Sequence, residues 1–232
     1  MKSLLLLGLF LVVSQAQGTS PDVAYGVDLT AEASLSTFSC LRNLGYDYAF
    51  VGVYDPKGEG AVFPYAARNA LNATQAGFKI HTVQSPAPAS SKSGAAQFQE
   101  AYGFLQNAGY SVYSIILQIT SPISWPNDAQ RNVAFITDYL NAAEQSGVHV
   151  AIYTNWYDWE QITGDWQTTP RLLWYWNTLG NGEQASGSDD FSDFRSFGGF
   201  TAGNALGKQY VRKLNACGVT FNRNRLATRP GL

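Results

Sequence analysis

The segment SVYSIILQITSPISW, residues 111–125, carries two side chains on which the chemistry of this chain turns. Its apolar run Ile115-Ile116-Leu117 reads as a buried strand that Pro122 ends, with Gln118 and Thr120 at the tip. Side chains two apart on a strand point the same way, so an amide and a hydroxyl face one site together. Neither group cycles a proton near neutral pH. They can hold hydroxyl and acetamido groups, but a hydrolytic step there would need carboxyl groups from elsewhere.

What must position such a tip is an alternation of strands and helices. β-Branched and aromatic runs predict strands over residues 25–29, 48–54, 80–84, 112–120 and 148–154. Apolar residues at helical spacing predict helices over 34–45, 65–76, 95–107, 127–145 and 158–162, with Gly77, Gly109 and Gly147 as stops. Five such pairs imply parallel strands with right-handed crossovers, in an α/β barrel or a doubly wound sheet. Beyond Gly164 the pattern changes to three short strands without helices, 172–176, 208–211 and 219–222. A TIM-like barrel with five β/α units followed by three bare strands is therefore the expected fold. No Gly-x-Gly-x-x-Gly follows the first strand, which leaves a dinucleotide fold without sequence support.

In such a barrel function lies at the carboxyl ends of the strands. Those ends are Asp28, Tyr54, Gln84 with Ser85, Gln118 with Thr120, Tyr153 to Trp156, Trp174 to Trp176, Gln209 with Tyr210, and Asn222. This rim holds one clear carboxylate, Asp28, with several amides and much aromatic surface. All six tryptophans, Trp125, Trp156, Trp159, Trp166, Trp174 and Trp176, fall in one stretch of the chain. Aromatic faces beside amides and hydroxyls suit a carbohydrate, although any single tryptophan can equally be packing. Tyr153, Trp156, Trp174, Trp176, Gln209 and Asn222, with Gln118 and Thr120, are the expected substrate-binding residues.

Composition narrows the partners. A formal net charge of −2 with scattered Lys and Arg gives no reason to expect nucleic acid or an anionic membrane. Met1-Lys2, an apolar run from Leu4 to Val13 and the small residues near Ala16 read as a signal peptide over residues 1–18. That leaves residues 19–232 as one domain, expected to be monomeric and either secreted or held in secretory or lysosomal vesicles. The two cysteines, Cys40 and Cys217, are expected to pair in an oxidising compartment. With two cysteines and two separated histidines, His81 and His149, neither a metal site nor a cofactor is expected. Asn72-Ala73-Thr74 is a glycosylation sequon.

Several motifs in order resemble the family 25 glycoside hydrolases, in particular their invertebrate and amoeboid lysozyme branch. They are Gly26-Val27-Asp28-Leu29-Thr30, Ile152-Tyr153-Thr154 with Trp159, Leu173-Trp174-Tyr175, the run from Asp193 to Gly199, and Lys208-Gln209-Tyr210. The resemblance implies a barrel of the kind just described and bacterial cell-wall polysaccharide, peptidoglycan, as ancestral substrate. It also implies an Asp-x-Glu at the end of the fourth strand, where this chain has Gln118 and Thr120, and a last-strand Asp, where it has Asn222. The first-strand acid remains as Asp28.

Glycoside hydrolysis ordinarily uses two carboxyl groups, one as general acid and one as base or nucleophile. Asp28 is the retained candidate and Asp158, just after the fifth strand, the first of the others to consider. Asp55, Glu59, Glu160, Asp189, Asp190 and Asp193 are further acids in loops or near strand ends, where solvated charge and capping are commoner roles. Substrate-assisted hydrolysis by a sugar acetamido group, with Asp28 as one of the pair, stays open. Three functions compete: a secreted glycan-binding protein of defence or digestion with little hydrolysis, an active lysozyme with relocated acids, and a structural or signalling barrel.

Overall fold

The computed structural model describes residues 23–169 and 171–227. The expected signal peptide lies outside them. Within them the chain runs β1 (Val23–Leu29), α1 (Leu35–Asn43), β2 (Tyr48–Asp55), β3 (Ala61–Val62), α2 (Ala66–Gln75), β4 (Lys79–Gln84), α3 (Gly94–Asn107) and β5 (Ser114–Gln118). It continues with α4 (Ala129–Gln145), β6 (His149–Thr154), α5 (Trp156–Thr163), β7 (Leu173–Trp176), β8 (Ala205–Ala216) and β9 (Val219–Ala227). Three single turns of 3₁₀ helix lie in the loops.

The sheet order is β1-β9-β8-β7-β6-β5-β4-β2-β3, and β1 also pairs with β2. That last pairing closes the barrel, with β3 left outside as a two-residue hairpin partner of β2. Strands β1, β2 and β4 to β8 run parallel, and β9 is antiparallel to both β8 and β1. The fold is the expected TIM-like barrel with five β/α units and three bare strands.

Alternation along the strands explains the core. On β5, Ile115 and Leu117 face the helices, where they join Phe98, Ile136 and Tyr139, while Ile116 faces the barrel interior with Phe50, Val83, Ala151 and Trp174. A strand buried on both faces reads as an unbroken apolar run. Gln118 continues the inward series one step past Ile116, which carries it to the barrel mouth. Helix starts are capped by Ser34, Ser93, Asp128 and Asn155, whose side chains each accept a backbone N–H of the first turn. Gly94 opens α3 against α4, where a Cβ would stand 2.2 Å from the Phe135 carbonyl oxygen. Only glycine lets the two helices approach that closely.

The last two strands are longer than expected, twelve residues in β8 and nine in β9. Polar residues such as Arg212, Asn215, Asn222 and Arg225 interrupt the apolar signal, but β9 has a hydrogen-bonding partner on each side and the ladder carries them. The Cys40–Cys217 disulfide joins α1 to the β8–β9 turn, with Cα atoms 5.8 Å apart. The segment between β7 and β8 is held by Lys208, which is fully buried and pairs with Asp193 at 2.6 Å.

Candidate functional site

A cleft of about 640 Å³ opens at the carboxyl ends of the strands. Asp28 from β1 lies at its floor, half-buried and held by three amides. Gln209 Nε2 and Asn224 Nδ2 donate to Oδ2 at 2.9 and 2.8 Å, and Asn222 Nδ2 donates to Oδ1 at 2.6 Å. Burial raises the Asp28 pKa above the usual carboxylate value against the opposing effect of these donors and of Arg212. The amides are themselves fixed. Gln209 Oε1 accepts the Tyr153 hydroxyl at 2.9 Å, Asn224 Oδ1 accepts the Trp174 indole N–H at 2.9 Å, and Asn222 Oδ1 accepts the Lys213 backbone N–H at 2.9 Å.

Across the cleft, Gln118 and Thr120 meet as their spacing predicts. Gln118 Nε2 donates to Thr120 Oγ1 at 2.8 Å and Gln118 Oε1 accepts the Ser85 hydroxyl at 2.6 Å. This row leaves one amide hydrogen of Gln118 and the hydroxyl hydrogen of Thr120 as donors for a ligand. Asp158 completes the wall. Asn155 caps α5 by accepting the Asp158 backbone N–H at 2.8 Å, which sets Asp158 in the first turn, and the Asp158 Oδ2 accepts the Trp176 indole N–H at 3.0 Å. Burial pushes this carboxyl up to about 6, although Trp176 and the Ser121 backbone N–H both favour its ionised form.

Comparison with known proteins bears on this arrangement. A family model described as Lysozyme-like protein 1 matches residues 19–210. Lysozyme-like protein 7 of Caenorhabditis elegans is 38% identical over 203 residues, 87% of this chain and 71% of the relative. Probable GH family 25 lysozyme 2 of Dictyostelium discoideum is 30% identical over 203 residues, 86% of this chain and 89% of its own length. The chain belongs to the lysozyme-like branch of glycoside hydrolase family 25. The fold agrees: a bacterial lysozyme from Streptomyces coelicolor superposes with a TM-score of 0.69 at 20% identity, over 91% of this chain and 94% of that one. A family GH25 lysozyme from Aspergillus fumigatus gives 0.66 at 12% identity, over 90% and 96%.

Where the resemblance implies an Asp-x-Glu pair the structure has the hydrogen-bonded Gln118 and Thr120, and where it implies a last-strand acid it has Asn222, which is turned onto Asp28. Of the residues expected to bind substrate, Gln118, Thr120, Tyr153, Trp174, Trp176, Gln209 and Asn222 line the cleft, whereas Trp156 is not among the lining residues. Trp156 instead carries the Arg195 guanidinium 4.5 Å from its ring centre. Trp174 stacks on both Phe50 and Tyr153, at 4.3 and 4.1 Å, so it serves as floor more than as a free platform. Trp176 keeps partly exposed surface. Trp125, Trp159 and Trp166 pack among helices and loops rather than at the mouth.

Of the acids, Asp28, Asp55 and Asp158 line the cleft. Glu59 is engaged by Ser91, Asp190 by Ser188 and Ser192, and Asp193 by Lys208 and Asn177. Gln84 faces the helices, where it meets Tyr139 and Gln97, and its neighbour Ser85 takes the inward position. The Asn72 amide donates to the Ala33 carbonyl at 3.0 Å, a contact that a glycan would have to displace. Two residues escape the sequence reading. Asn224 shares the inward face of β9 with Asn222, an i, i+2 signal hidden because the apolar run ends before it; Arg212 reaches the cleft only through a local irregularity of β8. Among the described residues no group of three His, Cys, Asp or Glu side chains is placed to hold a metal ion, and no helix is long and apolar enough to cross a membrane.

Proposed function

We propose that the protein is secreted, binds bacterial cell-wall glycan in this cleft, and hydrolyses it weakly or not at all, in defence or digestion. The observation that carries the reading is the neutral, mutually hydrogen-bonded pair of Gln118 and Thr120 at the tip of β5. A sugar chain finds amide and hydroxyl donors there, beside Trp176 and above the Asp28 cage. A glycosidic oxygen finds no proton donor at those two positions, and losing general acid catalysis costs about 10²–10⁴-fold in rate. Co-sedimentation with insoluble peptidoglycan, together with release of reducing ends, tests both halves. Retention is expected, with turnover at least about a hundredfold below that of a family member bearing both carboxylates. Turnover comparable to that enzyme overturns the second half; a folded protein that no wall polysaccharide retains points instead to a structural or signalling barrel.

One observation favours a second reading, an active lysozyme with relocated acids. Asp158 lines the same cleft as Asp28, and its carboxyl, pushed up to about 6, keeps a protonated fraction near neutral pH. If reducing ends are released, Asp158→Asn decides whether this group supplies the proton: loss of the activity supports the relocated acid and survival excludes it.

A further inference from the structure

We propose that Arg212 reads a carboxylate on the bound sugar chain, so that the cleft prefers acidic saccharides to neutral ones; this rests on the glycan-binding reading above. On a regular strand, Val211 would share the inward face of Gln209 and Arg212 would point away. The pairing of β8 with β9 shifts register between Gln209 and Val211 and again between Val211 and Leu214. A bulge adds a residue to one strand and re-aims the side chains that follow. Here Val211 is fully buried and Arg212 joins the residues lining the cleft. The irregularity is built in, since Lys213 adopts a φ of 56° and its backbone N–H is held by Asn222, the residue that also donates to Asp28. The Arg212 carbonyl in turn accepts the Gly182 N–H at 2.6 Å.

Among the described residues no protein group pairs with the guanidinium so placed. Asp28 is the acid that feels its charge, but the Asp28 oxygens already accept three amide N–H groups, and among the described residues the Arg212 side chain makes no hydrogen bond or ion pair. The other cleft-lining cation, Lys57, is exposed on the opposite lip beyond β2. An exposed guanidinium with five N–H donors at the mouth of a sugar-sized cleft matches a carboxylate in a forked geometry. Cell-wall glycan offers that group in two places, the lactyl carboxylate of a muramic acid unit that carries no stem peptide and the carboxylates of the stem where one is attached.

The experiment titrates the intact protein with three soluble probes and reads tryptophan fluorescence or heat. The probes are the neutral trimer of N-acetylglucosamine, a glucosaminyl–muramic acid oligomer with free lactyl carboxylates, and a disaccharide carrying a tetrapeptide stem. We expect at least one acidic probe to bind about tenfold tighter than the neutral trimer at low salt, and added NaCl at about 0.5 M to narrow the ratio. Preference for the stem-free oligomer assigns the contact to the lactyl group, and preference for the stem-bearing probe alone assigns it to the peptide. Arg212→Gln should bring the acidic-to-neutral ratio close to one, and Arg212→Lys should retain part of it. A ratio unchanged in Arg212→Gln, or absent from the wild type while the neutral trimer still binds, overturns the role of Arg212 and leaves glycan binding standing. Binding of none of the three probes overturns both.

Discussion

Replacing Asp158 by asparagine separates the electrostatics of the cleft wall from its packing. The carboxyl moves from 3.8 to about 6 on folding because burial disfavours its charge. At about 1.4 kcal/mol for each tenfold change in proton affinity, the ionised side chain costs the native state up to about 3 kcal/mol at neutral pH, and about 1–3 kcal/mol after allowance for the solvent that reaches the cleft. The sign follows from proton counting. Between about pH 4 and 6 the native state binds more protons than the unfolded chain, so the contribution to stability is greatest below 3.8 and is lost as pH rises through about 6. An asparagine can accept the Trp176 N–H through its amide oxygen but does not titrate. Urea unfolding of both proteins at intervals from about pH 4 to 8, disulfide intact, gives the difference in stability at each pH. Any fixed cost of the amide, such as a strained contact with the Ser121 N–H, cancels between pH values. The Asp158→Asn variant is not required to be the more stable protein at any one pH; it must gain on the wild type by about 1–3 kcal/mol between about pH 4 and 7.5. A difference that is flat with pH, or that moves the other way, refutes the burial argument and with it the case for Asp158 as a proton donor.

Two further outcomes follow from the same structure. Replacing Cys40 and Cys217 by Ala opens a closure spanning 177 residues, and the chain-entropy relation puts the loss at up to about 5 kcal/mol, more realistically about 2–5; urea midpoints of the two proteins measure it, and equal midpoints contradict it. Asn224→Ala removes at once the buried acceptor of the Trp174 N–H and a part-buried donor to Asp28, and is expected to destabilise by about 2–4 kcal/mol. A loss below about 0.5 kcal/mol in thermal or urea unfolding would show that water replaces both partners.

Much of this was legible along the chain. The alternation of strand and helix patterns, the glycine stops and the three bare final strands are local signals, because burial of one helix face or of both strand faces leaves a periodic mark. The shared inward face of Gln118 and Thr120 follows from a period of two, and the pairing of Cys40 with Cys217 from their number. What the chain could not disclose is decided by contacts between distant residues. Asp28 and Asn224 are 196 positions apart, and only barrel closure makes the amides of β8 and β9 a cage for the acid of β1. Trp174 and Trp156 are the same residue type near neighbouring strand ends, yet one forms the cleft floor and the other packs on Arg195, a difference set by which side of the barrel wall each faces. Asp158 is legible as a candidate acid just after the fifth strand, but its burial is not: only α5 folded against Ser121 and Trp176 takes its carboxyl out of water. Arg212 depends on a register shift between β8 and β9, which is a property of two strands paired in space and leaves no periodicity in either one.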